Sequence, residues 1–282
     1  AERAQQAEEA QEGSDERARV LLDLLGARFE LLFASGGADS SGGGVLGRWS
    51  AVRLWWRTAW PLNLVIGDDA MRRYNSVFAF LLSVRFVQLQ LQRAWLQPQS
   101  SLRGRRERER SRAAQARLRP LRALRAQMGF LVDALQFYLH ADVLEPSWRQ
   151  LSSRIQTSSD FEEVARAHEA YLGSLAVHIF RHVPEVCAAL DSVLRSCACL
   201  CELLETAEDR AASASLGGNV SDGSYEPAEF EKIQAQFWVQ SDFFLEFLRG
   251  AHSASPDASP HLAQLLMRID FNGFWSGGDR YN

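Results

Sequence analysis

Apolar residues recur at helical spacing in one segment after another, and this constrains the fold more than any other feature of the chain. Between Ala70 and Leu96, Tyr74, Val77, Phe78, Leu81, Leu82, Val84, Val87, Leu89, Leu91 and Trp95 cover well over half of a helix circumference, which predicts a central helix packed on two sides. Further helices are predicted over about 113–140, 146–156, 159–182, 185–206, 227–251 and 261–271, and one from Ser14 that Gly36 and Gly37 end. Pro120 marks a start or a kink in the 113–140 segment, and Pro146 suits the first turn of the next. Ser159-x-x-Glu162 reads as a capping box, and Asp68 or Asp69 is placed to cap the central helix.

Strand-like alternation occurs once, in 49–66, where Val52, Leu54 and Trp56 alternate with Arg53, Trp55 and Arg57 until Pro61 breaks the run. This predicts a short hairpin or an extended arm. Three polar stretches, 35–47, 98–112 and 207–227, read as linkers or solvated loops. The fold class expected is therefore all-α: an irregular bundle of seven or more helices with one short β arm. We divide it into residues 1–47 (a helix and a Gly/Ser linker), a helical domain at 48–276, and a tail at 277–282.

Composition excludes several function classes. The net charge of −4 gives no global pull toward nucleic acid. No apolar run approaches the roughly 20 residues that span a bilayer, and the acidic N-terminus is unlike a secretory leader. The chain opens on Ala1 rather than Met, so we expect it to be a piece of something longer. Cys187, Cys197, Cys199 and Cys201 all fall in one predicted helix, a poor disulfide framework that fits a reducing cytosol.

The constellations that could carry chemistry have simpler readings. Cys197-x-Cys199-x-Cys201 diverges on a helix, because positions two apart differ by about 200°, so core packing is favoured over zinc. His178 and His182 lie four apart without an accompanying Glu, and read as helix-end histidines. His168 lies on an apolar face and reads as a core histidine. Asp133, Asp142 and Glu145 have no nucleophile beside them and read as salt-bridge or helix-end charges. No phosphate-binding glycine loop occurs. No cofactor and no catalytic residue is assigned, and a zinc-dependent enzyme using the Cys197–Cys201 and His178/His182 region is kept as the lesser alternative. Trp49, Trp55, Trp56 and Trp60 crowd one short segment, and exposed tryptophans there would be interface anchors.

Four stretches carry a family resemblance. They are WPLNLVIGDDAMRRYNSVFAFLLSVRFVQLQLQRAW (60–95), MGFLVDALQFYLHADVLEPSWRQL (128–151), SSDFEEVARAHEAYLGSL (158–175) and HLAQLLMRIDFNGFWS (261–276). In order and spacing they resemble the C-terminal half of the gamma-tubulin complex component family, and most of all component four. Phe86 departs from the pattern, standing where a second basic residue often follows Arg85.

The resemblance implies a non-catalytic helical scaffold that binds gamma-tubulin in gamma-tubulin ring complexes and so supports microtubule nucleation. It implies contact with other complex components, mainly through an N-terminal half. It also implies a place in the cytoplasm and cytoskeleton, at a microtubule organizing center such as a centrosome or spindle pole. The gamma-tubulin-binding residues it suggests are Trp60, Pro61, Asn63, Arg72, Arg73, Arg85, Asp142, Glu145, Arg268, Asp270 and Asn272. A structural-corner role is equally open for Trp60, Tyr74 and Asn75, and an internal ion pair for Arg268 and Asp270. A helical adaptor for another partner is the main alternative.

Overall fold

The computed structural model describes residues 29–33, 52–56, 58–94, 105–215, 225–254 and 260–277. It is all-α in bulk, with one small antiparallel sheet of β1 (Phe29–Phe33) and β2 (Val52–Trp56), Leu31 opposite Leu54. A short 3-10 turn, Leu62–Leu64, leads into α1 (Asp68–Arg93). There follow α2 (Arg105–Phe137), a π-helical segment (Tyr138–Leu144), α3 (Glu145–Thr157), α4 (Phe161–His178), α5 (Pro184–Ser215), α6 (Pro227–Ala254) and α7 (Pro260–Ile269).

β1 corrects the expectation of a helix through Phe29 and Leu32; the rest of that predicted helix lies outside the described residues, as do the 35–47 linker and residues 278–282. The strand partner of β2 lies upstream, so 49–66 is not a self-contained hairpin. The other edge of β2 is closed by α1. The side chain of Asn75, buried in α1, accepts from the Leu54 N–H (2.7 Å) and donates to the Leu54 carbonyl (3.0 Å), replacing a third strand at that edge.

Helix ends account for the other corrections. Gly67, not Asp68 or Asp69, is the N-cap of α1, and no side chain caps it; the two aspartates lie in the first turn, where negative charge suits the helix dipole. α2 starts well before Ala113, because Arg and Glu in the supposed loop are strong helix formers, and Pro120 sits inside it.

No break separates α2 from α3. Pro146 lacks an N–H and would clash with the carbonyl one turn back, and the wider π turn beginning at Tyr138 accommodates it without ending the helix. Counted as continuous rods, the bundle therefore has six helices among the described residues rather than seven or more. α5 likewise runs on through residues read as linker, to Ser215.

α4 is capped by Asp160, whose side chain accepts from the Glu162 N–H at 3.1 Å, while Ser158 rather than Ser159 reaches Glu163. At its other end the N–H groups of Phe180 and Arg181 bond the carbonyls of Val177 and Ala176, a Schellman ending with Phe180 at φ 64°. A left-handed conformation is unfavourable for a bulky residue. Phe180 holds it because its buried ring packs against Tyr138, Phe244 and Phe247.

One core runs through the bundle. Val84, Val87 and Leu91 of α1 meet Leu121, Leu124 and Met128 of α2, Leu194, Cys197 and Cys201 of α5, and Phe237, Phe244 and Leu248 of α6. α7 and the turn after it are locked on by Trp275, buried against Phe237 and Trp238.

Two candidate binding faces

The residues named from the sequence do not form one patch. The first group lies where the β arm enters α1. Trp60 is 77% exposed and Leu64 63%, while Pro61 and Asn63 are exposed beside them; the Trp60–Pro61 peptide is cis. Just inside α1, Asp69 takes Arg72 at 3.0 Å and Arg73 at 2.9 Å, and Arg73 also pairs with Glu169 of α4. The two guanidinium groups hold the Asp69 carboxyl below its ordinary value. Behind this surface Tyr74 Oη lies 2.9 Å from His168 Nε2. Burial pushes the tyrosine up to about 12 and the histidine down. The corner reading of Tyr74 and Asn75 and the core reading of His168 hold.

Arg85 stands apart. It is thirteen positions along α1 from Arg72, about 20 Å at 1.5 Å per residue. Its guanidinium meets Gln88 Oε1 at 2.5 Å, and Gln88 donates to Asp133 at 2.6 Å.

The second group surrounds α7. Arg268 pairs with Asp142 at 2.7 Å across the π segment, and its guanidinium lies 4.0 Å from the Phe137 ring centroid. Asp270 accepts from the N–H groups of Trp275 (2.7 Å) and Ser276 (3.2 Å) and pairs with Arg249 at 3.2 Å. These bonds, outweighing its burial, lower its pKa. Arg268 and Asp270 are thus held in internal ion pairs. Glu145 pairs with Arg149 along its own helix, and Asn272 Oδ1 accepts from the Phe274 N–H (3.2 Å) within the closing turn.

Sequence reasoning missed the apolar residues around this second group. Phe137 is 52% exposed, Met267 68%, Phe271 74% and Phe130 39%, and the rings of Phe130 and Phe271 lie 6.2 Å apart. Phe130 and Phe137 are seven apart on one helix, a spacing visible in the sequence; that it faces outward is visible only in the packed bundle.

Chemical constellations are sparse. Cys197 and Cys201 are buried and Cys199 is exposed, the divergence expected of a helix. Burial pushes the Cys197 thiol well up and that of Cys201 to about 12. Among the described residues no three His, Cys, Asp or Glu side chains converge as metal ligands, and no helix is long and apolar enough to cross a membrane.

A family model described as gamma tubulin complex component C-terminal matches residues 3–275. The chain is 28% identical to gamma-tubulin complex component 4 of Arabidopsis thaliana, covering 82% of this chain and 30% of that protein. It is 32% identical to component 4 of Homo sapiens, covering 81% of this chain and 31% of that one, and 32% identical to that of Mus musculus with the same coverage. The chain thus spans about a third of the length of these relatives. With a match that covers nearly all of its residues, the chain belongs to the gamma-tubulin complex component family.

Proposed function

We propose that this chain is the gamma-tubulin-binding part of a gamma-tubulin complex component, a non-catalytic scaffold that supports microtubule nucleation in a gamma-tubulin ring complex. The observation that carries the reading is the family match across residues 3–275. Residues 48–276 act as the binding unit, with 1–47 leading into it and 277–282 trailing. Other complex components associate mainly through the portion of such proteins that this chain does not span. The working place is the cytoskeleton, at a microtubule organizing center in the cytoplasm.

On this reading gamma-tubulin docks on the corner of Trp60, Pro61, Asn63, Arg72 and Arg73. Its support is an exposed tryptophan beside the exposed Arg72 and the partly exposed Arg73, residue types that anchor protein interfaces. Asp142, Arg268 and Asp270 contribute by holding the end of α7, and Arg85, Glu145 and Asn272 through exposed side chains.

The test is co-elution with purified gamma-tubulin in size-exclusion chromatography with light scattering. A one-to-one complex is expected, weakened at least about tenfold by Arg72→Glu with Arg73→Glu and unchanged by Lys232→Glu, an exposed charge on α6 outside the proposed binding set. Binding that ignores the first pair of changes discards the corner; no complex at micromolar concentration discards the reading.

A further inference from the structure

The solvent face of α2 carries a stripe with coiled-coil spacing. Ala116, Ala123, Phe130 and Phe137 follow one another every seven residues, and Arg119, Ala126 and Asp133 interleave at the three- and four-residue steps; all seven side chains are exposed. Leu118, Leu121, Leu124, Met128, Leu131 and Leu135 face the opposite way, into the core. A run of seven-residue repeats on the outside of a helix presents a seam for another helix. Isolated surface phenylalanines need no explanation. These two are continuous with Phe271, whose ring touches Phe130, and with Arg268, which lies over Phe137.

The order of residues along the stripe selects the partner. Reversed about a two-fold axis level with Ala126, the stripe matches itself. Ala123 then faces Phe130 of the second copy, Ala116 faces Phe137, and Arg119 faces Asp133, each match occurring twice. Small opposite large lets two helices interdigitate, and opposite charges meet at both ends. The size match and the charge match place the axis within half a residue of each other, about 0.75 Å of rise. Gln88 fixes the Asp133 carboxylate on this face by donating to it at 2.6 Å. A parallel arrangement would set phenylalanine on phenylalanine and like charge on like charge.

We propose that α2 is a self-association surface, through which two copies of this chain pair antiparallel about Ala126. The seam borders Arg268 and Arg85, which are assigned above to gamma-tubulin binding, but pairing of two copies does not depend on that binding.

The experiment uses the 282-residue chain in sedimentation velocity up to about 100 μM. Reversible dimerisation is expected, weakening with added salt. Arg119→Asp and Asp133→Arg each lower the association constant about tenfold, because each sets like charges opposite one another at both ends, and the combined variant restores it to within about twofold, because the exchanged charges are again opposite in sign. Circular dichroism checks that each variant folds.

In a background with the exposed Cys199 changed to serine, Ala126→Cys is expected to cross-link to itself on mild oxidation. Facing residues on an axis between packed helices come within disulfide reach. A chain that stays monomeric at every concentration overturns the proposal and leaves the stripe to a different protein. Association indifferent to the charge reversals, or not rescued by the exchange, overturns it equally.

Discussion

Asn75 shows how much one polar side chain can decide. It satisfies the Leu54 N–H and carbonyl at the open edge of β2 and also bonds the Met71 carbonyl at 2.9 Å. Replacing it by leucine leaves these groups unsatisfied, and we expect a loss of about 2–3 kcal/mol in urea denaturation, with the β arm detaching first. The Asp142–Arg268 pair is mostly shielded from water, so Arg268→Ala should cost about 1–3 kcal/mol, well above an exposed pair such as Glu145–Arg149. Titration adds a third expectation. Burial lowers the pKa values of His168, His178 and His261 below 6.5, and the neighbouring His178 lowers that of His261 further. The unfolded chain takes up these protons first as pH falls. Stability is therefore complete above about pH 6.5 and declines as pH drops from there toward the folded values. The urea midpoint should be lower at pH 5.5 than at 7.5, and His168→Gln should narrow the gap.

Two helix ends make opposite demands on their residues. Asp160 caps α4 with its side chain, so Asp160→Ala should cost about 1 kcal/mol while Ser159→Ala changes little, which thermal unfolding of the two variants would separate. The other end stops at Phe180, whose left-handed backbone is unfavourable by about 1–2 kcal/mol and whose ring is worth about 3–5 kcal/mol in the core. Packing exceeds strain, so both Phe180→Ala and Phe180→Gly destabilise. Glycine should be the milder of the two by about 1–2 kcal/mol, because it alone relieves the backbone. Helix propensity by itself orders these residues the other way. The π segment is a similar local compromise, keeping Pro146 within an unbroken helical path and directing Asp142 toward Arg268 of α7.

At the scale of the molecule, α7 and the closing turn depend on one side chain. Trp275 is 1% exposed and lies among Phe237, Trp238 and Phe274. Trp275→Ala should cost about 3–5 kcal/mol and release Phe271 and Arg268 from their places, seen as lost near-ultraviolet circular dichroism with little change in helix content. The sequence by itself determined the helical class, the central place of α1, the divergence of the cysteines and the family, because periodicity and ordered motifs are properties of the chain alone. It did not locate β1. Five residues of Phe, Glu and Leu fit either period, and only pairing with β2 settles the choice. Polarity hid the starting turns of α2 and the last turns of α5, since a solvated helix and a loop share a composition. The named binding residues separate into distinct groups for the same kind of reason. Motifs record which residues occur together along the chain. Which of them meet, as Arg268 meets Asp142, and which face water, as Phe130 and Phe137 do, was decided by how helices distant in sequence share one core.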